Sequence, residues 1–286
     1  MKIPKYWASG TAKVRADYGE VDLTFWRWSD TSQAEAAQAA EARAREVASR
    51  FTSFQNLDRY GYADRPLREE VIDVMKGSDG RDSAIVTRNA YGALILNTAR
   101  VMFIDIDFDT KPVAQSSRLA GLFRSKSNKA PVPSPVDQQI ARLEEWGRRN
   151  PQFSLRVYRT HGGLRGLITN ELFEPTDPSS TQILQSLNSD PLYVRLCRAQ
   201  ECFRARLTPK PWRCGSDTPP SRYPWPTATA EMLQRQWERA YEHTAARFTT
   251  CKLVKEIGSV NMLSDVARIV EIHDRYACRG DNFDLA

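Results

Sequence analysis

The clearest alternation of apolar and polar positions runs through residues 101–109, Val-Met-Phe-Ile-Asp-Ile-Asp-Phe-Asp. The period of two and the absence of Gly and Pro predict a strand. Met102, Ile104, Ile106 and Phe108 then face a core, and Asp105, Asp107 and Asp109 share the opposite face. Upstream, residues 12–18 and 22–28 alternate as a hairpin turning at Gly19-Glu20. Trp26 and Trp28 share a face with Thr24, suited to the packing of a helix or, alternatively, to the stacking of bases. Residues 31–51 are rich in Ala, Glu and Arg, and Ser32-Gln33-Ala34-Glu35 predicts the start of a helix. Residues 54–82 are polar and irregular, with a short helix expected from Arg65 through Val74. Residues 84–88 and 91–97 predict two strands around Asn89-Ala90.

Beyond the aspartates, residues 110–133 break the pattern. They are rich in Ser, Pro and Ala and carry Lys111, Arg118, Arg124, Lys126 and Lys129 with no acid, a loop that either closes over phosphates or is a solvated insertion. Ser134-Pro135 starts a helix that Asn150-Pro151 stops. Residues 154–160 and 164–169 form a second hairpin around His161-Gly162-Gly163. Asp177-Pro178 and Asp190-Pro191 open two more helices, and residues 202–207 read as a strand. A proline-rich loop runs to Pro226, and residues 228–257 and 263–278 are expected to be helical.

From the aspartate strand onward the order is strand, helix, strand, strand, helix pair, strand. That predicts an α+β protein with a ferredoxin-like, RRM-like βαββαβ core at 98–210. Residues 1–97 extend it with strands and a helix, and 211–286 add a loop and C-terminal helices, all in one compact unit. In such a core the first strand is central and the third and last flank it. Arg165, Arg204 and Arg206 then join Asp105 and Asp107 on the open sheet face.

Composition narrows the classes. With 286 residues, 41% hydrophobic and 27% charged, the chain reads as soluble and globular, and it has no run long enough for a membrane span. The N-terminus lacks a signal-peptide core, so a cytoplasmic location is expected. Five cysteines fit a reducing compartment. Cys197, Cys202 and Cys214 are close in sequence, yet their spacing and the lack of a fourth ligand favour plain thiols over zinc. His243 and His273 fall in expected helices as surface or packing residues. The net charge of +6 permits a nucleotide or nucleic acid partner without demanding one. No P-loop, dinucleotide fingerprint or Gly-x-Ser-x-Gly is present.

The chemistry therefore centres on the aspartates. Neighbouring carboxylates lie about 6.5–7 Å apart at their Cα atoms and repel one another. Oxygen ligands of this kind suit Mg²⁺ or Mn²⁺, with Asp105, Asp107 and Asp109 as metal ligands. The alternative is a strand running into solvent. Arg165, Arg204, Arg206 and Lys210 would grip phosphate oxygens; the alternative is a ladder of ion pairs that needs no ligand. The loop with Lys210, Trp212, Arg213, Arg222, Tyr223 and Trp225 mixes cations with aromatics that hold a single strand or pack against the domain.

Asp105-Ile106-Asp107 after an apolar run, followed by Tyr158-Arg159-Thr160-His161-Gly162-Gly163-Leu164-Arg165, resembles the first two motifs of the archaeo-eukaryotic primase and primase–polymerase superfamily. The resemblance covers about residues 101–207. It implies a modified ferredoxin-like core, catalytic metal binding by Asp105 and Asp107, and a phosphate contact from Arg165. The family has a histidine near Arg165 and a third aspartate where this chain has Arg204 and Arg206. The expectation is a metal-dependent nucleotidyl- or phosphoryl-transfer enzyme acting on a nucleotide or nucleic acid. The alternative is a non-catalytic nucleic-acid- or protein-binding module, partnered within a larger assembly.

Overall fold

A computed structural model describes residues 1–16, 19–51, 66–108 and 134–286. Tyr18, residues 52–65, Asp109 and the loop at 110–133 lie outside them, so the expectations placed there have no structural account. The chain is a mixed α+β protein whose described strands pair antiparallel, apart from one short parallel pair of residues 248–249 with 284–285. No helix among the described residues is long and apolar enough to cross a membrane.

Two long strands, β1 (Tyr6–Ala16) and β2 (Gly19–Ser29), form the first hairpin, with Ala16 opposite Gly19. Gly19 and Glu20 thus belong to β2 and not to the turn. Ser32 caps α1 (Gln33–Arg50) through its hydroxyl, which accepts from the Glu35 N–H at 3.2 Å. Ala36, Ala40 and Ala44 are buried along one helix face, and a Cβ on Gly10 would stand 2.4 Å from the Ala40 backbone. Gly10 is opposite Phe25, so the helix covers the Phe25 face. The expectation that a helix packs on Trp26 and Trp28 is corrected. Those rings lie on the other side, where Trp28 meets Trp7 at 5.4 Å and Arg68 lies over Trp26.

Strands β3 (Glu70–Lys76), β4 (Asp82–Arg88) and β5 (Leu94–Thr98) form a meander. Where the expected short helix reaches the described residues, Glu70–Lys76 is a strand instead: the β-branched Val71 and Val74 pair with β4, and the register skips Ile72. The second sheet is built on β6 (Phe103–Asp107). Then follow α2 (Pro135–Arg149), β7 (Leu155–Thr160), β8 (Gly163–Ile168), α3 (Pro178–Ser186), α4 (Pro191–Gln200) and β9 (Phe203–Arg206). Ser134 and Asp137 form a full capping box on α2; Asp177 and Asp190 cap α3 and α4. After a short 3-10 turn come α5 (Ala228–Ala245), β10 (Phe248–Thr249), β11 (Cys251–Ile257), α6 (Ser264–Ala277) and β12 (Asp284–Leu285). The helix expected across 228–257 ends at Ala245; Cys251–Ile257 is a strand on the edge of β7.

The sheet orders are β11-β7-β8-β6 and β3-β4-β5-β9. β8 flanks β6 as expected, with Asp105 opposite Arg165. β9 does not flank β6 by hydrogen bonding; it pairs with β5, placing Asn97 opposite Arg204. The free edge of β6 is occupied by the start of α4. Asp190 N–H donates to the Asp105 carbonyl at 2.7 Å, and the Asp105 N–H donates to Ser189 Oγ at 3.3 Å. Tyr193 Oη is within bonding distance of the Phe103 and Arg204 carbonyls, at 3.0 and 3.1 Å, and accepts from the Arg204 N–H at 3.2 Å. One side chain thereby ties the two sheets. The expected boundaries at 97/98 and 210/211 each cut a sheet, since β9 pairs back to β5 and β11 to β7.

Candidate functional site

Strand alternation places Asp105 and Asp107 on one face of β6. Asp105 is half-buried and Asp107 exposed. Burial raises the Asp105 carboxyl above the ordinary carboxylate value, while the neighbouring Arg165 opposes it. Among the described residues neither carboxylate takes part in an ion pair. The hairpin turn is pressed against the end of β6: a Cβ on Gly163 would meet the Ile106 carbonyl at 1.8 Å, so only glycine fits.

Cations surround this pair. Arg206, the last residue of β9, is pushed down to about 10 by burial first and then by the charge of Arg165, with Asp105 and Asp107 opposing. Burial, then Arg206 and Arg213, hold Lys210 below the ordinary ammonium value. Partial burial, then Arg213, Arg159, Arg206 and Lys210, hold His161 below the ordinary imidazole value. Burial is the largest cause in each case, and the neighbouring cations add to it. Arg213 reaches the same spot, its Nη2 and Asp107 Oδ1 both lying under 4 Å from where a Gly162 Cβ would stand.

The expected phosphate-binding residues divide. Arg206 and Lys210 lie within electrostatic reach of the carboxylates. Arg204 pairs elsewhere. Its Nη2 donates to both carboxylate oxygens of Glu69, at 2.9 and 3.0 Å, and both side chains are nearly buried. Glu69 also accepts from Thr87 Oγ1, which accepts from Asn97 Nδ2 at 3.0 Å. The expectation that Arg204 stands beside the aspartates takes β9 as a neighbour of β6. With β9 in the other sheet, the shared-face rule aligns Arg204 with Asn97, Thr87 and Glu69 instead.

Arg165 is only 4% exposed, and its sheet face is covered near Phe103 by α6. Arg165 Nη1 donates to the Arg206 carbonyl at 2.8 Å and contacts His273 Nε2 at 3.0 Å. An arginine only donates, so Nε2 is the acceptor and the His273 proton sits on Nδ1, 2.8 Å from Asp274 Oδ1. His273 is therefore no surface or ordinary packing residue. It is fully buried at the centre of a polar group, with the rings of Phe103 and Tyr158 5.3 and 4.8 Å away.

Oxygen donors for a hard cation are thus Asp105 and Asp107. Soft donors gather at Cys251, His273 and Cys278, whose ligand atoms lie within 4.8 Å of one another. Cys197, Cys202 and Cys214 form no such group among the described residues; Cys214 donates into the Lys210–Pro211 turn instead. The Cys251 group carried no spacing signal, because it joins the start of a strand to the end of a helix. A recess of about 1000 Å³ lies away from both sites, along β3 and β4, with Ile3, Val71, Ser83 and Arg100 in its wall. No protein-family model matches this chain, and neither curated proteins nor solved structures yield a match.

Proposed function

We propose that the β6 site binds the phosphate chain of a nucleotide or nucleic acid together with Mg²⁺ or Mn²⁺, and supports nucleotidyl or phosphoryl transfer on a primase-like core. One observation carries this reading. Asp105 and Asp107, without ion-pair partners among the described residues, share one face of β6, with Arg165 opposite Asp105, Arg213 Nη2 and Asp107 Oδ1 meeting at the Gly162 turn, and Arg206 and Lys210 within electrostatic reach of both carboxylates. An ion-pair ladder would have matched these charges; here the positive excess suits a polyanion.

The donor set fits a hard divalent ion. Asp105 and Asp107 would hold it, with substrate phosphates and water completing the shell, as is usual for Mg²⁺. When bound, such an ion polarises phosphoryl oxygens and offsets developing charge. Arg206, Lys210 and Arg213 would orient the phosphate chain by direct charge-assisted bonds. Arg165 positions Arg206 through the Arg206 carbonyl, and it steadies Asp105 electrostatically from the opposite strand. Gly163 lets the hairpin approach the β6 end closely enough to bring Arg159 and His161 in.

A non-catalytic binding module is the second reading. It is favoured by Arg165, which is buried and bonded near the position where the resembled family has a histidine. The test titrates Mn²⁺ and then ATP into the wild type and into a doubly substituted Asp105→Ala/Asp107→Ala chain, and follows labelled nucleotide for turnover. Metal binding lost in the double variant, with turnover in the wild type, is the expected result. Equal, negligible Mn²⁺ binding to both removes the metal-dependent reading. ATP binding that survives EDTA without turnover selects the binding module.

A further inference from the structure

We infer that Cys251, His273 and Cys278 form a binding site for a thiophilic divalent ion, Zn²⁺ by its ligand chemistry. The inference stands apart from the phosphate site and does not rest on it. Two of the three ligand–ligand edges are close to those of a tetrahedral corner. Two Zn–S bonds of about 2.3 Å span an S···S edge of about 3.8 Å, and one Zn–S with one Zn–N bond spans about 3.6 Å. Cys251 Sγ lies 3.6 Å from Cys278 Sγ and 3.9 Å from His273 Nε2. The third edge is within 4.8 Å.

A second, independent feature points the same way. Asp274 Oδ1 accepts the hydrogen bond of His273 Nδ1–H at 2.8 Å, which leaves Nε2 with the lone pair. A carboxylate behind a histidine is the arrangement that fixes the tautomer and ring plane of metal-ligating imidazoles. The site is also screened from water: Cys251 and His273 are fully buried, and only Cys278 is half-exposed. The ion would enter past Cys278, and a solvent water would fill the fourth position.

Charge and protons balance. Zn²⁺ displaces one proton from each thiol, so two thiolates, neutral His273 and the ion sum to zero while two protons leave. A neutral centre can lie next to the Arg165 guanidinium without strong repulsion. The ion does compete with Arg165, whose Nη1 now uses the Nε2 lone pair at 3.0 Å. Metal loading therefore releases one N–H of Nη1 while the other keeps the Arg206 carbonyl, and Arg165 stands opposite Asp105 in the β6–β8 ladder. The buried site is thereby linked to the carboxylates.

The test uses the full chain, purified under reducing conditions and stripped of metal. Zn²⁺ addition is expected to release two protons per chain and to leave one tightly held ion by elemental analysis. Co²⁺ is expected to give a thiolate-to-cobalt charge-transfer band. Cys278→Ser, at the half-exposed position, should lose that band while remaining folded by circular dichroism. Cys197→Ser, at a buried cysteine elsewhere, should keep it. Folded wild type without stoichiometric Zn²⁺ and without the band overturns the proposal. So does a Cys251–Cys278 cross-linked peptide as the sole product in Zn²⁺-containing buffer, which would make the pair a disulfide.

Discussion

Replacing Tyr193 by Phe removes one oxygen from the junction between the sheets. That oxygen accepts from the Arg204 N–H at 3.2 Å and lies 3.0 and 3.1 Å from the Phe103 and Arg204 carbonyls. A phenol has one proton, so it satisfies one of the two carbonyls at a time. Burial holds the hydroxyl well above its ordinary value, so it remains a neutral donor. Tyr193→Phe leaves the Arg204 N–H and one carbonyl without this partner. Each buried group left short costs about 1–3 kcal/mol. A carbonyl that keeps its other lone pair bonded belongs at the low end, so the sum is about 2–4 kcal/mol. At about 2–4 °C per kcal/mol, the melting temperature should fall by roughly 5–15 °C. Hydrogen exchange read by mass spectrometry should show faster exchange in the peptide holding Phe203–Arg206, while the β7–β8 hairpin stays protected. A melting temperature within 2 °C of wild type, together with unchanged exchange at Arg204, would refute the view that this hydroxyl ties β6 to β9.

Two further predictions separate structural from functional charges. Glu69→Gln leaves Arg204 buried without its carboxylate and should cost about 3–5 kcal/mol in thermal or denaturant unfolding, with phosphate-chain affinity of the folded protein unchanged. Arg206→Met should do the opposite, lowering ATP affinity at least tenfold with little loss of melting temperature; a reversed pattern would return Arg204 to the site. Burial raises Asp105 above the carboxylate value of 3.8, so the folded state holds that proton more tightly than the unfolded state. Its stability contribution is full below the unfolded value and is lost as pH rises through the folded value. Asp105→Asn should flatten that segment of the stability curve and raise metal-free stability at neutral pH, as read from melting temperatures across the acid range; a parallel curve would exclude Asp105 as the source.

Much of the chain could be read from local pattern. Capping residues announced α1, α2, α3 and α4, because a serine or aspartate before a helix accepts its orphan N–H groups whatever lies further away. Alternation in β6 put Asp105 and Asp107 on one face, and Gly162-Gly163 marked the hairpin that closes on them. Local pattern also misled. Residues 228–257 contain no Gly or Pro, and the Lys and Glu of β11 interleave with Leu253, Val254 and Ile257 in a way that suits a helix as readily as a strand. Only Phe248-Thr249-Thr250, poor helix formers, hinted at the break after Ala245.

What the sequence determined by itself was the set of elements and which residues share a face within each. Both follow from interactions a few residues long. The tertiary structure decided which edges meet. β9 has two faces and two edges, and nothing in Phe-Arg-Ala-Arg says that it pairs with β5, sending Arg204 to Glu69 and leaving Arg206 to the aspartates. Likewise, the packing of α6 brings His273 to Arg165, Cys251 and Cys278 across separations too long for any spacing rule. Edge pairing and helix docking depend on burial summed over the whole molecule, and no single segment carries that sum.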